Sequence, residues 1–426
     1  MRDIVVSTLK SHSRMVPVEG DDSVYEVGAD GKQLVQRSTA AGQNLTVQAN
    51  RSPATTSRAV QGHTALPPTR TKTKGFAGSG TAQDPIRIET TEDLVSMDDP
   101  DIAMAGLHFI QTADIDCASI THWPSFAFKG HYDGNGKTIR NVIMVNEDTP
   151  ASVFDILQAT SSVTHLRLEG CCLAQTVDGS LVQHCHVTSS GLVSGDAKDT
   201  QITDCQVTGG GLVGGNIRDS QVARCQVLDG FPLVRGFTAN SCISDCAVVL
   251  NGPLKDFASE RSLGLISTWL DTESVVERCF GERRYPTRVG DRGVNFGGIV
   301  SSANSSIIRQ CAVGSLDLGV DNDGFQQRIL RHNSSATLQN NASIDTNPGD
   351  DDANGNDGKT VAAARFNQRF FEGSLGWDFD TVWQWDATNN RPTLRPSAGA
   401  AQPTAAASTT PMQDLLTRQV QANIWL

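Results

Sequence analysis

The sequence has 426 residues, 39 of them glycine, with 6% aromatic residues, 19% charged residues and a formal net charge of −12. The charged fraction is below the roughly 25% typical of globular domains, and the glycine content favours turns and small side chains over a large helical core. Residues 1–80 carry ten Lys or Arg and six Asp or Glu, so the acidity resides in the remainder and argues against a nucleic-acid partner there. We also find neither an apolar run long enough for a membrane span nor the apolar core of a Sec-type signal peptide.

Residues 1–80 are rich in Ser, Thr, Gln, Ala and Pro and show no sustained period of 2 or 3.6 residues. This composition predicts a disordered leader that ends in the linker TRTKTKGFAGSGTA. Such a leader is compatible with a secretion route that threads an unfolded segment, and equally with an ordinary cytosolic tail. Both interpretations stay open at this point.

Residues 81–345 contain short β-type runs separated by Gly, Asp and Asn turns, and within them a repeat. Aligned on cysteine, units of 20, 20 and 21 residues begin at His184, Asp204 and Arg224, and a fourth begins at Asp245. A period near 20 with Leu, Ile or Val at a fixed phase predicts a solenoid in which each unit is one coil. No unit contains a ten-residue helical pattern or the leucine-rich-repeat signature. The predicted fold is therefore an all-β parallel β-helix with about 20 residues per coil.

The last quarter of the chain differs in composition from the repeats. Residues 346–395 combine an acid-rich segment with a concentration of aromatic residues, which predicts an acidic loop and an aromatic cap for the open end of the solenoid. Residues 396–426 are predicted as a flexible linker followed by a short amphipathic helix. That helix either docks on the body or a partner, or is a frayed terminus.

Three segments resemble a known family. The unit GGLVGGNIRDSQVARCQV resembles the GLUG repeat of bacterial surface and secreted proteins, FKGHYDGNGKTIRNVIM is similar to the segment that often opens such domains, and LGWDFDTVWQWDATNNRPTLR to the segment that often closes them. The family includes adhesins and non-catalytic regions of immunoglobulin A1 proteases. The resemblance covers about residues 81–395 and implies a right-handed β-helix in a bacterial, exported or surface setting. It does not imply proteolysis, because the sequence contains no HExxH motif.

Four cysteines recur at one phase of the repeat, so we expect successive coils to stack them about 4.8 Å apart. They are Cys185, Cys205, Cys225 and Cys246. That spacing suits a disulfide, but the parallel Cβ vectors of a column do not converge. A straight column also cannot surround one zinc ion tetrahedrally. We therefore favour packing in the core over a disulfide, and both over a metal site.

Two other patterns in the repeats resemble functional sites. In the triplet HCH, alternation along a strand sends His184 and His186 to the side opposite Cys185, so we predict solvent-facing histidines and no metal site. Asp199 and Asp219 are expected to stack in register, as clustered aspartates do in pectin-cleaving β-helix enzymes. The residues that follow them are polar but do not titrate, so we predict a solvated coil surface and assign no catalytic residue.

One segment resembles half of a calcium-binding loop. In GDDDANGNDG, the residues Asp350, Asp352 and Asn354 occupy ligand positions of an EF-hand-like loop, with Gly355 at the turn. The twelfth position is Val361, where a bidentate Glu belongs. A flexible acidic loop is thus the favoured interpretation, Ca²⁺ is the alternative, and no other cofactor is predicted.

The insertion ERRYPTRVGDRG supplies the candidate binding residues because it concentrates cationic and aromatic side chains. The candidates are Arg283, Arg284, Tyr285, Arg288 and Arg292. An exposed loop of solvated arginines is the favoured interpretation, and a site for an anion or an acidic glycan is the alternative for which these residues are the candidates.

The expected function is that of a bacterial secreted binding protein, including a virulence effector delivered into a host cell, whose β-helix surface binds a protein or a glycan. A surface adhesin or structural module is one alternative, and a glycan-active β-helix hydrolase or lyase is another. The expected location is outside the bacterium by a route without a Sec signal peptide, with the bacterial cell surface as the alternative. Neither a nucleic-acid partner nor a membrane span is expected.

Overall fold

The structure is a computed structural model. It describes the backbone of four short strands before residue 75, and residues 75–124, 126–144, 151–251, 262–284, 295–316, 326–347 and 349–396. The chain separates into two compact units, residues 1–67 and 68–426. In the first, an antiparallel sheet comprises β1 (Met15–Val18), β2 (Asp21–Val27) and β3 (Leu34–Gln36). The predicted leader thus contains regular structure at these strands, and most of its other residues lie outside the described ones, as does the predicted C-terminal helix.

The second unit is a parallel β-helix, which confirms the predicted fold class. Each coil contributes strands to three parallel sheets, here named the first, second and third faces in chain order. The first face comprises β6 (Ile86–Ile88), β7 (His108–Gln111), β10 (His131–Asp133), β13 (Ser162–Thr164), β16 (Leu181–Gln183), β19 (Gln201–Thr203), β22 (Gln221–Ala223), β25 (Cys242–Ser244), β29 (Val275–Glu277), β33 (Ile307–Arg309) and β37 (Thr337–Gln339).

The second face also has eleven strands, and the third has nine. The second face comprises β8 (Ile115–Asp116), β11 (Thr138–Arg140), β14 (Arg167–Glu169), β17 (His186–Thr188), β20 (Gln206–Thr208), β23 (Gln226–Leu228), β26 (Ala247–Leu250), β30 (Phe280–Arg283), β34 (Ala312–Leu316), β38 (Ala342–Ile344) and β39 (Lys359–Val361). The third face comprises β9 (Ala127–Phe128), β12 (Ser152–Leu157), β15 (Cys172–Asp178), β18 (Ala197–Lys198), β21 (Ile217–Arg218), β24 (Val234–Ala239), β28 (Ser267–Leu270), β32 (Val300–Ala303) and β36 (Leu330–Asn333).

Smaller elements surround these faces. A short parallel sheet contains β27 (Ser262–Gly264), β31 (Asn295–Gly297) and β35 (Gln326–Gln327). Two antiparallel pairs are β4 (Lys72–Thr73) with β5 (Phe76–Ala77), and β40 (Trp383–Asp386) with β41 (Arg391–Leu394). The helices are α1 (Thr91–Ser96), α2 (Pro100–Ala103) and α3 (Gln368–Leu375), and single 3₁₀ turns span Cys117–Ser119 and Ala363–Arg365.

The register of the second face gives the true length of each coil. Val187 pairs with Val207 and Val207 with Val227, so these coils have the predicted 20 residues. Val227 then pairs with Val248, and Val248 with Gly281. The later coils are longer because segments are inserted between the second and third faces, where β27, β31 and β35 lie.

The corner between the first and second faces is closed by one device in successive coils. A residue in the left-handed conformation turns the chain, so that the next side chain points into the core. Its φ is between 50° and 55° at His165, His184, Asp204, Arg224, Asp245, Arg278, Gln310 and Asn340. In six of these coils the next residue is a buried free cysteine. They are Cys185, Cys205, Cys225, Cys246, Cys279 and Cys311.

The thiols have a structural role at this corner. Each Sγ lies 3.2–3.4 Å from the backbone carbonyl oxygen two residues earlier and donates a hydrogen bond to it. Each of these carbonyls also accepts a backbone N–H from the preceding coil, so the thiol is a second, weak donor to the same oxygen, and a small apolar side chain with such a donor suits the position. The prediction of a packed cysteine column is confirmed, and the column is longer than predicted. In HCH, Cys185 is buried as predicted, whereas His184 and His186 are half-buried where solvent-facing side chains were predicted.

A second corner, between the third and first faces, uses hydroxyl groups in the same way. Ser180, Thr200, Ser220 and Ser241 are buried, and each hydroxyl lies 2.6–2.9 Å from the carbonyl oxygen two residues earlier. The residues before them have left-handed conformations, including Asp199 and Asp219. Aspartate is favoured here because it tolerates the left-handed conformation of the turn. Both aspartates are exposed, which agrees with the predicted solvated coil surface.

The two ends of the solenoid are covered by local segments. At the first coil, Leu94 of α1, Met97 directly after it and Ile102 of α2 are at most 1% exposed within the main core. At the last coil, the carbonyl of Asn356 accepts hydrogen bonds from the N–H groups of Ile329 and Leu330 at 2.9 and 3.0 Å. The predicted acidic loop is therefore the cover of the C-terminal end, and β39 extends the β-helix beyond residue 345.

The buried Arg328 holds this acidic loop in place. Its side chain is 1% exposed, and its guanidinium donates to the carbonyl oxygens of Asp350, Asn347 and Gly358. A fourth hydrogen bond reaches Oγ1 of Thr360 at 3.0 Å. Removing this cation would leave several acceptors at the end of the coil unsatisfied.

The aromatic segment lies on the side of the solenoid and not at its end, which corrects the predicted aromatic cap. Residues 366–395, here named the flank segment, pack against the outer side of the second face. Trp377 donates through Nε1 to the carbonyl of Gln310 at 2.8 Å, and Trp383 donates to Oδ1 of Asp245 at 3.4 Å. These contacts fix the flank segment to different coils.

The sequence of the second face changes where the flank segment covers it. In the uncovered coils, the outward residue that starts each strand is polar: Arg167, His186, Gln206 and Gln226. In the covered coils the equivalent residue is apolar and buried: Ala247, Phe280, Ala312 and Ala342. The apolar cluster of the flank segment includes all four of these residues. This change from polar to apolar outward residues determines where the flank segment packs on the second face.

Candidate functional site

The predicted arginine site is only partly within the described residues. Arg283 is 3% exposed, and its guanidinium lies over the ring of Phe296 at 5.9 Å from the centroid. Arg284 is half-buried, forms an ion pair with Glu282 at 3.0 Å and donates to Oδ1 of Asn389 at 3.2 Å. These two residues therefore belong to packing contacts, which corrects the prediction of an exposed loop at their positions. Tyr285, Arg288 and Arg292 lie outside the described residues, and their role in binding stays a prediction.

The predicted calcium ligands lie in the loop that covers the last coil. Oδ1 of Asp352 accepts a hydrogen bond from the N–H of Asn354 at 2.9 Å, and Oδ1 of Asn354 accepts one from the N–H of Asn340 at 3.1 Å. The carbonyl of Asp350 accepts from Arg328. The loop is thus organised by its own hydrogen bonds. In the described parts of the chain, no three His, Cys, Asp or Glu side chains are grouped as ligands for a metal ion.

The third face carries a feature that sequence reasoning missed. Phe237 of β24 and Trp269 of β28 are paired in register on neighbouring coils and point outward. Their side chains are 46% and 43% exposed, and their ring centroids lie 5.4 Å apart with 44° between the planes. Large aromatic side chains are normally buried, so an exposed adjacent pair is a candidate interaction surface.

The aromatic pair belongs to one column that runs parallel to the solenoid axis, here named the third-face column. The strand register aligns Asp196, Asn216, Phe237, Trp269, Ser302 and His332 in this order. Asp196 and His332 are exposed, Asn216 is half-buried and Ser302 is 4% exposed. A carboxylate, an amide and an imidazole therefore flank the aromatic rings along a single line.

Hydrogen bonds along the column fix its polar end. Oδ1 of Asp196 accepts from the backbone N–H of Asn216 at 2.7 Å and from its side-chain amide at 3.1 Å. Oδ1 of Asn216 in turn accepts from the N–H of Phe237 at 2.9 Å. These bonds orient the amide and the carboxylate before any ligand arrives, which lowers the entropy cost of binding.

Glycines beside the column make this arrangement sterically feasible. A Cβ atom on Gly215 would lie 2.2 Å from Oδ1 of Asp196, and one on Gly236 would lie 2.5 Å from Oδ1 of Asn216. Both contacts are far too short for a real side chain. In the double glycine of the repeat, Gly215 therefore leaves the space that the side chain of Asp196 occupies in the third-face column.

A recess of about 350 Å³ lies on the first face near the N-terminal end of the solenoid. It is lined by strands β7, β10 and β13 and by the loop around Ala82 and Pro85. His108 and His131 lie in it in register, with ring centroids 4.3 Å apart and 25° between the ring planes. Burial, and secondarily the neighbouring His131, lower the pKa of His108.

Comparisons with known proteins leave the family open. No protein-family model matches the chain, and neither does any curated protein. Among solved structures, one described as a "putative immunoglobulin A1 protease" from Bacteroides ovatus is similar at 15% identity and a TM-score of 0.34, with 75% of this chain and 95% of that chain covered. A TM-score this low carries no argument about function. Membership of the GLUG family stays a prediction, and the fold assignment stands on the strand pairing of this chain.

The described residues also include no helix with the length and apolarity needed to cross a membrane.

Proposed function

We propose that this protein is a secreted binding protein that engages a glycan through the third-face column. The observation that carries the proposal is the exposed pair Phe237 and Trp269 on neighbouring coils. A pyranose ring has an apolar C–H face and a rim of hydroxyl groups. An exposed aromatic ring matches the C–H face, and polar side chains beside it match the hydroxyls.

The geometry of the column favours a glycan over a protein partner. The aromatic surface is one residue wide; Asn216 and then Asp196 continue the column at one end, and the buried Ser302 and then His332 continue it at the other. Successive coils are about 4.8 Å apart, which is similar to the length of one sugar residue in an extended chain. A linear glycan lying along the solenoid axis would therefore meet one outward side chain per sugar.

The proposal is tested by measuring binding with variants of the aromatic pair. Oligosaccharides that bind on a glycan array would be titrated calorimetrically into the wild type, Trp269→Ala and Phe237→Ala. We expect each substitution to weaken binding at least about tenfold, which corresponds to about 1.4 kcal/mol. Ile143→Ala is the matched control, because Ile143 is also 46% exposed but lies outside the third-face column.

Two results would contradict the proposal: binding by the aromatic variants with wild-type affinity, or no glycan bound by the wild type. The alternatives are separated in the same material. Release of shortened products from a polysaccharide would favour the hydrolase or lyase, and binding only when the protein is displayed on cells would favour the adhesin. Secretion without a Sec signal is a further part of the proposal. Fusing residues 1–80 to a reporter tests it, and absence of export would count against delivery to a host.

A further inference from the structure

We propose that the recess on the first face binds an oxyanion, such as a sulfate, phosphate or carboxylate group, at the adjacent ring edges of His108 and His131 when both imidazoles carry a proton. This site goes beyond the proposed glycan site and does not depend on it. It lies on a different face and on earlier coils. The argument rests on the volume of the recess, the paired imidazoles and the charges that face them.

The recess has the volume of a small ligand site. Its volume of about 350 Å³ falls at the lower end of the range for small-molecule sites. The strands form its floor, and the loop with Ala82 and Pro85 forms a wall. That loop is anchored to the sheet, because the carbonyl of Gly80 accepts from the N–H of His108 at 2.9 Å.

The two histidines are placed so that one anion can contact both. They occupy equivalent outward positions on β7 and β10, and their rings stack with centroids 4.3 Å apart. Nδ1 of His131 also lies 2.9 Å from the hydroxyl of Ser162, which fixes the ring orientation. Two imidazolium groups this close repel each other, so an anion bound at the edges of both stacked rings is what would stabilise the doubly protonated form.

The other charged groups around the recess are compatible with a positive charge on the two imidazoles. On the same strand as His131, Asp133 is paired with His165, whose Nδ1 lies 3.1 Å from Oδ1 of the carboxylate. From the wall, the carboxylate of Asp84 accepts from the N–H of Ser79 at 2.9 Å. On β6, Arg87 is in register with Ile110 and adds a cation nearby. Protonation of His108 and His131 therefore makes the recess more positive, while the carboxylates of Asp133 and Asp84 already have hydrogen-bond partners.

Inorganic sulfate is the appropriate probe, because its charge does not change between neutral and mildly acidic pH. Binding would be followed by NMR of the histidine ring protons and by calorimetry, at constant ionic strength, at about pH 5.5 and about pH 7.5. We expect the affinity to be at least about tenfold higher at the lower pH, since binding takes up protons. Comparing a sulfated monosaccharide with its unsulfated parent then shows whether the anion is a free ion or a substituent of a sugar.

Variants assign the binding to the recess. His108→Gln and His131→Gln are each expected to lower the affinity for sulfate at acidic pH at least about tenfold. His122→Gln is the matched control, because His122 is exposed and bonds only within its own loop to Thr121 among the contacts described. The proposal is overturned if sulfate binds equally at both pH values, if the recess variants bind like the wild type, or if no binding is detected at acidic pH.

Discussion

Phe371→Ala tests the conclusion that the aromatic segment covers the side of the solenoid. Phe371 is fully buried, and its ring centroid lies 4.7 Å from that of Trp377, 5.0 Å from that of Phe366 and 6.5 Å from that of Phe280 on β30. Removing a buried phenylalanine ring usually costs about 3–5 kcal/mol, because a cavity is left and apolar contacts are lost. We expect this cost to act on the attachment of the flank segment.

The expected consequence is local detachment, which hydrogen exchange with mass spectrometry measures. A loss of about 3 kcal/mol raises the open population of the flank segment by roughly a hundredfold. Exchange should therefore rise in residues 366–395 and in the covered strands β26, β30 and β34, and stay unchanged in the uncovered β17 and β20. Phe237→Ala is the matched control, since the same substitution at a side chain that is 46% exposed should change the stability by less than about 1 kcal/mol. The interpretation is refuted if exchange rises in β36 and β37 at the last coil while the covered strands stay protected.

Three further predictions concern the interior, the C-terminal cover and pH. Cys205→Ala should lower the free energy of unfolding by about 1–2 kcal/mol, and a reductant should not change the melting temperature, because Cys205 is free; a shift with reductant would contradict this. Arg328→Met should increase exchange in residues 349–358, since buried acceptors lose their donor, and unchanged exchange would mean that the loop is held by other contacts. Burial lowers the pKa of His184, so the unfolded chain binds more protons. Stability against urea should therefore fall as the pH drops below 6.5 towards the lowered pKa, and His184→Gln should reduce that fall relative to the wild type.

Most of the fold could be predicted from the repeat, because the period of the repeat equals the length of one coil. In the coils that start at His184, Asp204 and Arg224, inward valines, corner cysteines and glycines recur with little change, so the stacking was predictable. The boundaries of the later coils were harder to predict because inserted segments lengthen the repeat. On the second face, for example, Val248 pairs with Gly281. Their alignment follows from hydrogen bonding, which a search for a fixed period does not detect.

The position of the aromatic segment could have been inferred, but only by comparing equivalent positions between coils. The outward residue changes from Gln226 to Ala247 and then Phe280, which signals that something covers the second face from that coil onward. The third-face column was missed for a related reason. Phe237 and Trp269 are far apart in the sequence, and only the register of β24 and β28 places them side by side. A lone aromatic residue in a repeat is ordinarily interpreted as part of the core.

The flank segment also constrains the number of coils in part of the solenoid. Trp383 is held at Asp245 and Trp377 at Gln310, so the number of coils between these levels is matched to one continuous stretch of chain. An extra coil inserted there would separate the two anchors. Among the described contacts, the flank segment has no anchor on the coils between residues 184 and 244, so one 20-residue unit can be added or removed there with the cysteine-to-carbonyl contact of each remaining corner preserved. Related chains of different length are therefore expected to differ in the number of these coils, and not in the coils between Asp245 and Gln310.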